Sequence, residues 1–255
     1  MFNFRVSTIA SRLAAGVVTL ALLVAPAPVM AAEFSKTETK AIEKIVHDYL
    51  VQNPEVMIEV MSELDARQEA AKRSAQNNAV AKHRKAIFDD PASFVMGNPK
   101  GDVTIVEFFD YNCGYCKRAF APLMNTIKAD GNVRLVLKEF PILGPSSVIA
   151  SYATMAAEKQ GKYFEMHKAL FMHKGSLDED EVMAVAKSVG LDIARLRRDM
   201  ADPKFAKTIE RNEALAQALK ISGTPSFVIG DALHPGALSA EDLKLAIKDA
   251  RAAKS

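Results

Sequence analysis

VTIVEFFDYNCGYCKRAF, residues 103–120, joins a strand-like run to the only two cysteines of the chain, Cys113 and Cys116. β-Branched and aromatic residues dominate Val103–Tyr111, the composition of a strand. The cysteines follow at once. KRAFAPLMNTIKAD (117–130) continues as a helix, with Pro122 expected to kink it. Gly131-Asn132 turns the chain, and VRLVLKEFPI (133–142) reads as a second strand. Strand, helix and strand in that order make a βαβ unit, hence a parallel pair.

Working outward, residues 146–219 carry helical periodicity almost throughout. Ala150, Ala153, Ala156 and Ala157 form one closely packed stripe, and Phe164, His167, Leu170 and Phe171 begin another. SFVIG (226–230) is a strand, Gly230-Asp231 fits a hairpin turn, and ALHPGAL (232–238) returns as a short edge strand. Ser239 caps a last helix, with Asp242 in the acidic position of a capping box. The expected fold is α/β, ordered β-α-β, helical insertion, β-β-α, over residues 96–255.

Upstream, residues 33–95 contain no glycine and no convincing strand. Ile42, Ile45, Val46, Tyr49 and Leu50 recur at helical steps until Asn53-Pro54 interrupts them. A second helix carries Val56, Met57, Val60, Met61 and Leu64 on one face before its apolar residues fade to alanines. Too few residues are present to bury that face alone. That face packs either on the rest of the chain or on copies of itself; the alanine-rich stretch that follows argues for distance, so an all-helical extension that self-associates through residues 33–90 is expected.

Before it, Arg5 and Arg12 are the only charges ahead of Glu33, and Leu13–Ala25 is an apolar run ending in small residues. This is the pattern of a signal peptide over residues 1–32, cleaved near Ala31 or Ala32, and too short to cross a bilayer. The formal charge of +2 falls to about zero once the two arginines are removed. Basic and acidic residues are interspersed, which argues against a nucleic-acid partner.

Export places the cysteines where disulfides persist, yet two cysteines cannot staple a small fold. A bridge across CxxC closes almost no loop and adds little stability. A zinc site needs about four ligands, and His47, His83, His167, His173 and His234 are scattered without metal-binding spacing. Cu(I) held by two thiolates is the remaining metal chemistry, beside a redox centre. Cys113 sits where a strand passes into a helix N-terminus, which favours a thiolate, and Cys116 lies one turn further in. Glu107, inside an apolar strand, is expected to be buried, whereas Asp102 and Asp110 fall on the solvent side of the alternation. Lys138 is placed at the matching position of the next strand, so that Glu107 and Lys138 would form a buried pair, either a relay for the proton of Cys116 or a salt bridge at the edge of the core. Gly223-Thr224-Pro225-Ser226 has the composition of a tight turn. A cis bond there would offer the Thr224 backbone to a client peptide.

FFDYNCGYC, Lys138, the helical insertion and GTPSFVIG (223–230) together resemble the thioredoxin-fold disulfide oxidoreductases of the DsbA type. The resemblance implies Cys113 as nucleophile, Cys116 as resolving cysteine, Pro225 in cis, and Glu107 with Lys138 as the buried relay. It departs from the strongest oxidant of that family, which carries Pro-His between its cysteines. Gly114-Tyr115 supplies no such positive charge, so a less acidic Cys113 and a less oxidising disulfide are expected. Gly-Tyr, and threonine before the proline, are similar to the DsbC-type isomerases. NPEVMIEVM (53–61) is similar to the oligomeric ScsC-type members.

These readings imply a periplasmic isomerase or reductase with Cys113, Cys116, Glu107 and Lys138 as catalytic residues. Thr224, Pro225, Gly114 and Tyr115 would meet the client. No cofactor is expected beyond the redox-active Cys113–Cys116 disulfide. The partners would be misfolded or reduced exported proteins and a membrane thiol reductase, in a homodimer or homotrimer. The alternatives are a dithiol oxidase recharged by a quinone-linked membrane partner, and a Cu(I)-binding chaperone.

Overall fold

The computed structural model describes residues 34–253. The expected signal peptide lies outside them. The chain divides into two compact units, one ending at Val60 and the other beginning at Met61.

The first unit contains α1 (Lys36–Gln52) and the start of α2 (Glu55–Lys82). Ser35 and Glu38 form a reciprocal capping box at the start of α1. The helix stops where Asn53 precedes Pro54. None of its side chains is buried; Ile45 is 68 % exposed, and Ile42, Val46 and Tyr49 are exposed with it.

The second unit is built on a five-stranded sheet of order β1-β3-β2-β4-β5. Its strands are β1 (Phe94–Gly97), β2 (Val103–Phe109), β3 (Val133–Glu139), β4 (Ser226–Ile229) and β5 (Ala232–Pro235). β2 and β3 are parallel, joined by α4 (Gly114–Asp130), and every other pairing is antiparallel. α4 runs through Pro122 and ends on Gly131 in the left-handed conformation. Both sheet faces are covered, which is why β2 reads as an almost unbroken apolar run. Val103, Ile105 and Phe109 face one core with Leu123 and Ile127 of α4 and Leu243 and Ile247 of the last helix, α10 (Ala240–Ala252). Val106 and Phe108 face the other.

The helices of the insertion are α5 (Pro145–Ala157), α6 (Tyr163–Met172), α7 (Glu179–Ser188), α8 (Ile193–Met200) and α9 (Pro203–Ala218). Four of them extend the α4 side of the core, while the end of α9 closes the opposite face through Leu215 and Ala216.

Two expectations for residues 33–95 are corrected. The helical stalk does not reach residue 95: Val80 at the end of α2, with Ile87 and Phe88 of α3 (Arg84–Phe88), is buried in the second core against Val106 and Phe108. A strand is also present, since β1 pairs with β3 along Phe94–Gly97. It sits at an edge, with Phe94, Val95 and Met96 half-buried and Gly97 exposed, so it carries no alternation strong enough to read. Gly97 ends it at φ 74°, where a Cβ would come within 2.5 Å of the Val133 carbonyl oxygen.

Candidate active site

β2 delivers Cys113 to the N-cap of α4, where its backbone N–H donates to Asp110 O at 3.1 Å. Cys113 is 6 % exposed and Cys116, one turn on, is fully buried; both are free thiols. The Thr224–Pro225 peptide is cis, and the Cys113 Sγ donates to Thr224 O at 3.1 Å.

The two thiols ionise very differently. The Cys113 pKa is lowered to about 5, first by the hydrogen bond from the Cys116 thiol. The Thr224 side chain and the N–H groups of Cys116 and Tyr115 add to this, against the opposing effect of burial. Cys116 is driven far upward by burial, by the proton it donates to Cys113, and by nearby Glu107. A value near 5 lies between the ~3.5 of the strongest oxidant of this type and the ~7 of thioredoxin. The dipeptide contributes a backbone N–H here rather than a charge. Alkylation of Cys113 in the reduced protein should therefore be independent of pH above about 7 and fall roughly tenfold per unit below pH 5. A rate still climbing between pH 7 and 9 would contradict the assignment.

Glu107 is buried on the cysteine side of the sheet, and its pKa is raised to about 8 by burial and then by Cys113. Lys138 does not join it. The β2–β3 register sets Glu107 against Leu137 and Phe108 against Lys138, and neighbouring positions on a strand face opposite ways. Lys138 therefore enters the other core, where Nζ donates to Ala86 O at 2.8 Å and to Asp90 Oδ2 at 3.1 Å. The expected Glu107–Lys138 pair is not formed: Glu107 lies on the cysteine side of the sheet and Lys138 pairs with Asp90 on the other.

Asp110 is also corrected: it is fully buried rather than solvent-facing. Its carboxylate accepts from Asn112 N, Ser147 Oγ and Leu143 N, at 2.7, 2.8 and 2.9 Å. Asn112 adds bonds to Ser146, Ser147 and Leu177 N, so both residues tie the cysteine loop to the insertion. Strand alternation ends at Phe109 and could not place them. A further buried cluster escaped the sequence reading: Tyr111 and Tyr163 both donate to Glu139 Oε1, and His167 Nδ1 lies 2.9 Å from the Tyr111 hydroxyl. Burial holds Glu139 up to about 8 and His167 down to about 3, so both are neutral at pH 7.

Gly114 and Tyr115 are exposed at the first turn of α4, and the Arg118 guanidinium lies 4.3 Å from the Tyr115 ring centre. Tyr115, the Gly223–Ser226 turn, the end of β5 and Lys72 of α2 enclose a groove of about 500 Å³.

A thiol that ionises near pH 5 beside one that stays protonated is built to exchange disulfides. Within this α/β frame it defines a thioredoxin-fold thiol–disulfide oxidoreductase. The chain belongs to the family of the DSBA-like thioredoxin domain, which matches residues 104–248, and the copper resistance protein ScsC N-terminal domain matches residues 38–71. A thioredoxin-like oxidoreductase from Silicibacter pomeroyi is 49 % identical and covers 68 % of this chain and 98 % of its own, with a TM-score of 0.65. A linker-deleted Proteus mirabilis ScsC is 30 % identical and covers 88 % of this chain and all of its own, at 0.67. Among curated relatives, the Na(+)/H(+) antiporter NhaA 1 of Salinispora arenicola is 31 % identical over 164 residues, 64 % of this chain. This chain spans about a quarter of that relative's length.

Proposed function

We propose that the protein is a periplasmic disulfide isomerase and reductase whose reduced Cys113 attacks non-native disulfides in exported proteins. The observation that carries the reading is the split between the two thiols, with Cys113 ionised at neutral pH and Cys116 protonated behind it. The Cys113 thiolate bonds to one client sulfur as the client S–S bond breaks. The electron pair leaves on the second client sulfur, which takes up a proton. In isomerisation, another client thiolate attacks the client sulfur of the mixed disulfide and frees Cys113 as thiolate, with no net redox change. In reduction, Cys116 loses its proton to Glu107 and attacks Cys113 Sγ. A Cys113–Cys116 disulfide forms and the client leaves with both sulfurs reduced; a membrane thiol reductase then restores the dithiol. Thr224 and Pro225 hold the client segment beside Cys113, with Gly114 and Tyr115 at its edge.

Isomerisation gains from several active sites on one client, and the exposed apolar row of α1 with Met57, Ile58 and Val60 of α2 supports a homodimer or homotrimer. The copper resistance ScsC N-terminal domain matched over residues 38–71 supports the same segment as the assembly region. Removing residues 34–60 should lower the solution mass to that of a monomer and abolish reactivation of scrambled ribonuclease, while reduction of a small disulfide keeps its full-length rate. A monomer before and after truncation would sink the isomerase reading. The Cys113 pKa of about 5 favours one second reading, a dithiol oxidase, because a stable thiolate makes the disulfide more oxidising. Fast oxidation of reduced ribonuclease, without reactivation of the scrambled form, would establish it.

A further inference from the structure

We infer that the groove beside Cys113 selects client segments carrying acidic residues next to the reacting cysteine. The inference rests on the oxidoreductase reading and names the substrate class of that site. Among the described residues, the groove lining includes Lys72 and Lys220 and no aspartate or glutamate. Its floor is otherwise apolar or uncharged: the Gly223–Ser226 turn, Leu233 and Pro235. Arg118, outside the lining itself, puts a third positive charge 4.3 Å from the ring centre of the lining residue Tyr115. An extended segment lying there with its sulfur at Cys113 runs along a surface whose lining charges are both positive.

Lys220 supplies an independent observation. It sits just past the end of α9 at φ 57°, the one non-glycine in the left-handed region among the described residues. Its N–H donates to Gln217 O and the next N–H to Ala216 O, a helix-ending turn in which glycine is the unstrained choice. A long β-substituted side chain held in that conformation at a binding groove is a local cost that points to function. Lys72 lies 3.6 Å from Glu69, and both are more than half exposed. Such exposed pairs are weak, so a client carboxylate arriving in the groove competes for Lys72 readily. Charge complementarity of this kind acts mainly on the rate of encounter and is screened by salt.

The test uses the full-length reduced protein and two peptide disulfides of equal length, one with glutamates and one with lysines flanking the cysteine. A neutral aromatic disulfide is run beside them. The glutamate peptide should react about tenfold faster at low ionic strength, with the preference shrinking toward unity as salt rises. The double reversal K72E/K220E should invert the preference. Lys220→Gly should reduce it while raising the thermal midpoint, because glycine relieves the left-handed strain; that variant keeps the test open should the reversal fold poorly. Equal rates for the two peptides, or a preference insensitive to salt and unchanged in both variants, would overturn the inference. Failure of all three disulfides to react would instead overturn the oxidoreductase reading.

Discussion

Glu107→Gln is expected to slow the resolution of the mixed disulfide by about 100-fold or more, the usual scale for losing a general base, and to leave the initial attack by Cys113 nearly untouched. Cys116 is held protonated by burial, so its attack needs a proton acceptor inside the core. Glu107 is the carboxyl on that face of the sheet whose charge is felt by both cysteines. In the mixed disulfide Cys113 carries no charge and burial alone holds the Glu107 pKa up, so the wild-type resolution rate should climb with pH and level off at or below pH 8; in Glu107→Gln the climb disappears. Stopped-flow release of a fluorescent peptide from the Cys113 adduct measures both. A full wild-type rate in the variant would remove Glu107 from the chemistry. The same carboxyl has a signature in stability. Folded, it keeps its proton to about pH 8, whereas unfolded it loses it near 4.5. The folded state therefore binds more protons across that window, and its contribution to stability falls as pH rises. Glutamine removes that slope, at most about 1.4 kcal/mol per pH unit.

Asp90→Ala should cost about 3–5 kcal/mol, because it strands the Lys138 ammonium in the second core with the Ala86 carbonyl as its remaining hydrogen-bond partner among the described residues. Burial already lowers the Lys138 pKa and Asp90 counteracts it, so the variant should lose further stability as pH falls and the lysine is forced to charge. Lys138→Met, which removes the charge and keeps an apolar stem of similar length, should cost clearly less than Asp90→Ala. Urea unfolding at two pH values decides this. Lys138→Met should also leave mixed-disulfide resolution at the wild-type rate, since the lysine lies across the sheet from the cysteines. A resolution defect in Lys138→Met equal to that of Glu107→Gln would restore the relay in which both residues act together.

Much of this site was legible in residues 103–120. Composition marked β2, the cysteine spacing marked the first turn of α4, and the Thr224-Pro225 turn lies beside Cys113 in space. What misled was register. Glu107 and Lys138 look equivalent when each strand is read separately, yet a shift of one residue between β2 and β3 sends the two side chains into different cores. Asp110 misled for a related reason: alternation applies within a strand, and Asp110 lies one residue beyond β2, where its backbone and carboxylate organise the loop. Val80, Ile87 and Phe88 fall within the extension expected to self-associate because the chain around them carries few apolar residues, and nothing local reveals that the second sheet face lacks cover without them.

The sequence by itself determined the local chemistry: a dithiol at a helix start, a proline turn, a helical insertion, and an N-terminal helix pair broken at Asn53-Pro54. These depend on neighbours within a few residues, where propensity, capping and spacing act directly. Only the tertiary structure decided which charged groups lie together: Glu107 near Cys116, Lys138 with Asp90, and Lys72 with Lys220 in the lining of one groove. Those encounters depend on strand register and on packing between elements far apart in the chain, and a one-residue difference in either reverses the face on which a side chain appears.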